Sequence, residues 1–337
     1  MAAEIAEAGA AARRQIDANA DVVEALAARL RRQAPGFVVT IARGSSDHAA
    51  LFLKHVVELK LGLACASLGP SVASLYRAPL RLEGAAAVAI SQSGRSPDIV
   101  AMQRAAKGAG ATTVALVNDE TSPLASDADA ALPLRAGTEH SVAATKTMIA
   151  SLVAGVALTA HWAQDEELAA TLNRLPAVLD AARGEPDPQA VATLANAASL
   201  FVIGRGATFP IAQEAALKLK ETSAIHAEAF SSAEVLHGPA GVIRSGFPVL
   251  GFAPVDEARD GFFETIDRLA SFGAAPLVAD IAPHANWPTL VASDAGHPML
   301  TPIAALHAFY RVAEATARAR GRNPDQPPHL MKVTRTL

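Results

Sequence analysis

The chain has 337 residues, of which 51% are hydrophobic and 18% charged, and a formal net charge of −4. That length suits two domains of roughly 150 residues with large buried cores, and the acidic balance argues against a nucleic-acid binder. The one cysteine, Cys65, excludes an internal disulfide and fits a reducing compartment. The N-terminus, MAAEIAEAGAAARRQ, carries acids early and has no apolar core of a signal peptide. The longest apolar run, residues 148–162, is too short and too rich in small residues to span a bilayer. The expectation is a soluble cytoplasmic protein with no membrane partner.

In chain order, residues 2–33 read as a helix with Ile5, Ile16, Val22, Val23, Leu26 and Leu30 on its apolar side. A β-branched strand at 37–42 ends in Arg43-Gly44-Ser45-Ser46, and a helix over 47–62 follows. The next strand, 86–90, runs into Ser91-Gln92-Ser93-Gly94-Arg95-Ser96-Pro97 and a helix to about 109. Strands at 112–117 and 131–134 precede a long helix over 142–162. Strands alternating with helices predict an α/β fold with a parallel, doubly wound sheet.

The second half echoes the first. FVIGRGAT at 201–208 matches VTIARGSS at 39–46, an offset of about 162 residues, and strands near 248–253, 275–279 and 290–292 follow in the same order, with a helix over 302–320. Four matches in order predict a duplicated α/β domain. The expected layout is an N-terminal helical segment 1–35, a first domain 36–165, a Pro-punctuated linker 166–190, a second domain 191–322 and a tail 323–337. The copies differ: where the first has Ser-Gln-Ser-Gly-Arg-Ser, the second has Ala253-Pro254-Val255-Asp256.

Two stretches carry candidate chemistry. Ser91–Ser96 sits where a strand hands over to a helix, with Ser96 suited to the N-cap and Pro97 to the first turn. Free N–H groups, the helix dipole and the hydroxyls of Ser91, Ser93 and Ser96 suit an anion such as phosphate, though Ser and Gly are also ordinary loop residues. Asp98 would repel a phosphate and is expected to face solvent. The second stretch is Glu214–Pro239. Glu214, Lys218 and Glu221, spaced i, i+4, i+7, form a carboxylate–ammonium–carboxylate stripe on an otherwise apolar helix. Such a stripe fits surface salt bridges as well as a buried reactive group. His237, beside Gly238 and Pro239, belongs on a turn where it can titrate near neutrality. The tail after Asp325 is broken by prolines, and Lys332 read locally is a solvated terminal lysine. No HxxxH or HExxH pair occurs, so neither metal nor cofactor is expected, and His226 and Glu228 read as a hydrogen-bonded pair.

Taken together, Gly44-Ser45-Ser46, Ser91-Gln92-Ser93-Gly94, Val142-Ala143-Ala144-Thr145-Lys146, KLKE…HAEA…HGP and Asp325-Gln326-Pro327 through Lys332-Val333-Thr334 resemble the sugar-isomerase (SIS) family. Within it, the likeness is to the isomerase half of glucosamine-6-phosphate synthase. The resemblance implies two tandem SIS domains, each a doubly wound parallel sheet flanked by helices, and a homodimer with a shared active site. It implies that Ser91, Gln92, Ser93 and Ser96 hold a sugar phosphate, with Ser45, Ser46, Val142 and Ala144 nearby. It gives Glu221 the proton transfer between C1 and C2, His237 the opening of the sugar ring, Lys332 the contact or imine with the open-chain sugar, and Lys218 a supporting place. That assignment reverses the local reading of Lys332. Arg43 stands where the synthase has Cys, Ala144 where it has Ser, and Met331 where it has Ala. The synthase's glutaminase domain has no counterpart before residue 37. The implied activity is deamination of glucosamine 6-phosphate to fructose 6-phosphate and ammonia. Alternatives are an aldose–ketose isomerase, a galactosamine-6-phosphate deaminase, a fructosamine-phosphate deglycase, or a non-catalytic sugar-phosphate sensor.

Overall fold

In the computed structural model, residues 1–182 and 184–332 are described. The chain opens with α1 (Ala2–Ala6) and α2 (Ala8–Gln33), so the predicted N-terminal helix is broken at Glu7. It continues through β1 (Phe37–Ile41), α3 (Ser45–Leu61), β2 (Cys65–Ser67), α4 (Ser71–Ser74), β3 (Ala85–Ser91), α5 (Pro97–Gly108), β4 (Thr112–Val117), α6 (Pro123–Asp127), β5 (Ala130–Pro133) and α7 (Lys146–Ala163). Three short helices follow: α8 (Glu166–Leu172), α9 (Leu175–Ala181) and α10 (Pro188–Ala195). The remainder is β6 (Ser199–Gly204), α11 (Thr208–Ser223), β7 (His226–Ser231), β8 (Phe247–Phe252), α12 (Arg259–Ser271), β9 (Ala274–Asp280), β10 (Thr289–Val291) and α13 (Thr301–Ala319).

These elements form two compact units that interleave along the chain. The first comprises Ala10–Glu139, Lys146–Asn173 and, of the tail, Met331 and Lys332; the second comprises Met1–Gly9, His140–Thr145 and the described residues of Arg174–Leu330. The first unit's sheet has the order β2-β1-β3-β4-β5, all parallel. The second unit's sheet, also parallel, reads β7-β6-β8-β9-β10, the same order in equivalent strands. Strands buried on both faces read as continuous apolar runs, and all seven residues of β3 (AAAVAIS) are buried. Val39, Ile41, Ala87 and Met102 pack in the first unit's core, and Phe201, Ile203, Phe262 and Ile266 in the second's. A Cβ on Gly204 would lie 2.4 Å from the Thr208 carbonyl oxygen, so only glycine lets α11 start this close to β6.

Two expectations are corrected. The strands β2 and β7, both at sheet edges, do not appear in the sequence reading. The helix expected over 142–162 begins at Lys146, because His140 and Ser141 give their N–H groups to the Glu4 carboxylate and Val142 gives its own to the Asp325 carbonyl. The stretch expected as a linker, 166–190, carries helices, with Asp165 and Asp187 side chains capping α8 and α10. No helix among the described residues is long and apolar enough to cross a membrane.

Candidate active site

The first unit carries the serine loop expected to form an anion cradle. In its sheet the chain leaves β1 toward β2 on one side and leaves β3 toward β4 on the other. The crevice beyond the carboxyl ends of β1 and β3 is therefore the topological switch point, where open α/β sheets bind ligands. A cavity of about 310 Å³ lies there, lined from the β1 side by Arg43, Gly44 and Ser46 and from the β3 side by Ser91, Gln92, Ser93 and Ser96. The N-termini of α3 and α5 both begin at this crevice, and each offers unsatisfied N–H groups and the positive end of its dipole. Ser96 occupies the α5 N-cap and Pro97 the first helical position as expected. The Ser96 hydroxyl makes no capping bond, which leaves it available to a ligand. Ser45 is the first residue of α3, beside Ser46.

The serine loop has a fixed shape. Gly94 N–H donates to Ser91 Oγ at 3.0 Å, and Gly94 adopts φ +61°. A Cβ there would sit 2.1 Å from Ser122 Oγ and 2.8 Å from Val117 Cγ2, so the position admits only glycine. Arg95 holds the loop from outside through two N–H donors to Asp119 Oδ2, at 3.0 and 2.8 Å.

Asp98 is not at the solvent as expected; it is fully buried. Its Oδ2 accepts the Arg43 Nε–H at 3.0 Å and its Oδ1 accepts the Ile99 N–H at 2.9 Å. A carboxylate in the first turn of α5 is thus matched by a guanidinium from the neighbouring loop, and both residues line the cavity. Burial also pushes the Asp47 carboxyl, in the first turn of α3, above its ordinary value.

Lys332 also lines this cavity, and it is no free terminal lysine: its Nζ lies 2.9 Å from Glu139 Oε2. Glu139 is buried and at the same time accepts the Thr147 N–H at 3.2 Å, capping α7 from a residue outside that helix. Glu139 was not singled out in the sequence. Its one signal there is its place just ahead of the Val142–Lys146 motif. Val142 and Ala144 belong to the His140–Thr145 segment of the second unit and are not among the cavity's described lining residues.

The second unit carries the charged stripe on α11. Lys218 and Glu214 are both fully buried and Glu221 is largely so, which excludes a set of surface salt bridges. Lys218 Nζ lies 3.3 Å from Glu214 Oε1 and also donates to Glu221 Oε2. The Tyr310 hydroxyl, from α13, donates to Glu214 Oε1 at 3.0 Å. Burial opposes the Lys218 charge, but the two carboxylates outweigh it and raise its pKa, so the ammonium is retained. The arrangement fixes Glu221, the more exposed carboxylate, in one place at the end of α11. His237 stands exposed on a turn, its N–H bonded to the Glu234 carbonyl at 2.8 Å. His226 and Glu228 are exposed on one face of β7 and make no hydrogen bond to each other, contrary to expectation, because both point to solvent.

Comparison with known proteins agrees with this architecture. The SIS domain model matches residues 33–161 and 193–302. The glutamine–fructose-6-phosphate aminotransferase (isomerizing) of Bradyrhizobium diazoefficiens is 34% identical over 316 residues, covering 86% of this chain and 50% of that protein. The chain spans about half the length of the curated relatives it matches. A structure from Silicibacter pomeroyi DSS-3, described as a candidate phosphosugar isomerase, is 47% identical with a TM-score of 0.91, covering 96% of this chain and 98% of that one. The C-terminal domain of glucosamine-fructose-6-phosphate aminotransferase from Francisella tularensis is 25% identical with a TM-score of 0.85, covering 96% and 97%. With two matched SIS segments, two parallel sheets of the same strand order and relatives of this kind over most of its length, the chain belongs to the SIS (sugar isomerase) domain family.

Proposed function

We propose that the protein deaminates and isomerises an amino-sugar phosphate, converting glucosamine 6-phosphate and water to fructose 6-phosphate and ammonia. The observation that carries the reading is the first unit's cavity, where two helix N-termini, the serine loop and Lys332 line one space suited to a phosphorylated sugar. The aminotransferase names of the relatives support an amino-sugar substrate.

In this reading Ser91, Gln92, Ser93 and Ser96 hold the phosphate, with Ser45 and Ser46 beside them. His237 opens the sugar ring, Glu221 carries the proton between C2 and C1 of the open chain, and Lys332 contacts the open-chain carbonyl carbon or forms an imine with it. Water then adds to the carbon bearing the amine, and ammonia leaves. Proton transfer beside a carbonyl or imine calls for a positioned carboxylate, and Lys218 holds Glu221 in one geometry. A homodimer in the cytoplasm belongs to the same proposal.

The test is ammonia release from the purified chain given glucosamine 6-phosphate or galactosamine 6-phosphate, with Glu221→Gln alongside. Release from the glucosamine ester, reduced by about 10²–10⁴-fold in Glu221→Gln while fructose 6-phosphate still binds, is the expected outcome. No release from either sugar would sink the deaminase reading. Unchanged turnover in the variant would remove Glu221 from the reaction.

A further inference from the structure

The second unit holds another cavity, of about 530 Å³, larger than the serine-loop cavity and within the range of small-ligand pockets. Its wall is mostly apolar, with Ile5 of α1, Leu179 of α9 and Pro186 facing α13. Against that wall α13 presents His307 and Arg311, one turn apart and so on one face.

Both residues carry a buried polar atom without a partner. His307 is 3% exposed, and its Nε2 lies 3.0 Å from the Ile5 carbonyl oxygen. That oxygen can only accept, so Nε2 carries the hydrogen and Nδ1 is left as an acceptor; Nδ1 is buried and unpaired. Burial lowers the His307 pKa, consistent with a neutral ring at neutral pH. Arg311 donates one N–H to the Gly184 carbonyl at 3.1 Å, while its Nε is buried and unpaired. Among the described residues no carboxylate pairs with this guanidinium: Glu314, in the same wall, is engaged by Arg318. Glu185 also lines the cavity and makes no ion pair with Arg311 among the described contacts, and burial opposes the Arg311 charge, lowering its pKa. Folded proteins rarely leave two such groups unsatisfied side by side.

We propose that this cavity binds a small 2-hydroxy carboxylic acid with an apolar body, its carboxylate on Arg311 and its hydroxyl donating to His307 Nδ1. A carboxylate matches the guanidinium fork and supplies the missing counter-charge. A hydroxyl on the adjacent carbon supplies the donor that Nδ1 lacks. The apolar remainder packs on Ile5, Leu179 and Pro186. The site shares no residue with the serine-loop cavity or the Lys218 cluster, so the proposal stands independently of the deaminase reading.

The experiment is calorimetric titration of the purified chain with mandelate, phenylacetate and 1-phenyl-1,2-ethanediol. Mandelate should bind. Phenylacetate, which lacks the hydroxyl, should bind roughly 5–10-fold more weakly, and the uncharged diol at least about 10-fold more weakly. Arg311→Gln, shown to be folded by circular dichroism and to keep its affinity for fructose 6-phosphate, should lose mandelate binding by about 10-fold or more. Should that variant fail to fold, Arg311→Lys keeps the charge without the fork and should weaken mandelate binding. No binding of mandelate up to about 10 mM, equal binding in the Arg311 variant, a diol that binds as well as mandelate, or equal affinity for mandelate and phenylacetate would each overturn the proposal.

Discussion

Removing the ammonium from the α11 stripe tests whether the cluster is a buried network. In Lys218→Met the methionine fills similar space, but Glu214, fully buried, loses a cation at 3.3 Å and Glu221 loses its hydrogen-bonding partner. At an effective dielectric of about 20, a pair at that distance is worth about 5 kcal/mol of gross attraction, against which stands several kcal/mol of desolvation for each ion. The larger consequence is an uncompensated carboxylate left inside, and the expected loss is about 3–5 kcal/mol at pH 7. The sign with pH follows for the native protein: the Lys218 pKa is raised on folding, so its contribution is fully present below the unfolded-state value and is lost as pH rises through the folded-state one. In the variant, acidification protonates the freed carboxyls and should recover part of the loss. The assay is urea unfolding of the transition that includes the second unit, at pH 7 and pH 5, for the native chain, Lys218→Met and Lys218→Met/Glu214→Leu. The double variant, which replaces the buried pair by apolar side chains, should regain more than half the loss. A cost below about 1 kcal/mol in the single variant, or no recovery in the double, would refute the argument.

Further outcomes follow from the cradle and from α1. Gly94→Ala places a methyl 2.1 Å from Ser122 Oγ at a φ of +61°. It should cost about 2–4 kcal/mol in stability, from left-handed strain plus overpacking, and weaken fructose 6-phosphate binding by calorimetry at least about 10-fold. Glu4 is buried, which opposes its charge, but hydrogen bonds from Ser141 and His140 and the nearby N-terminal ammonium outweigh this and hold its pKa at about 2. Its contribution is therefore present above the ordinary glutamate value of 4.5 and lost as pH falls toward about 2. Glu4→Gln should show a flatter acid-unfolding curve over that window, and an unchanged curve would remove Glu4 from the balance.

Much of the fold was legible because buried parallel strands announce themselves as short apolar runs. FVVTI, AAAVAIS and TTVALV read this way, and FPVLGF follows from its repeat of the first half. Strand β7 was hidden for the opposite reason. It pairs on one side only, with β6, and HAEAFS puts His226 and Glu228 at the solvent, so it reads as an acidic loop. Strand β2 is three residues long and has no pattern to detect. The N-terminus of α7 was misplaced because its cap is Glu139, which reaches Thr147 across a stretch that the second unit straightens with bonds from Glu4 and Asp325.

The chemistry divides along the same line. Spacing along one helix determined that Glu214, Lys218 and Glu221 share a face, and the serine–glycine loop between a strand and Pro97 determined a strand-to-helix turn suited to an anion, because both depend only on local backbone geometry. Burial, charge pairing and the company each side chain keeps depend on residues distant in sequence. Tertiary structure alone decided that the stripe is buried beneath Tyr310, that Arg43 neutralises Asp98, and that Glu139 holds Lys332 in the wall of the cradle. Electrostatic environment is set by three-dimensional neighbours, and a one-dimensional pattern carries no record of them.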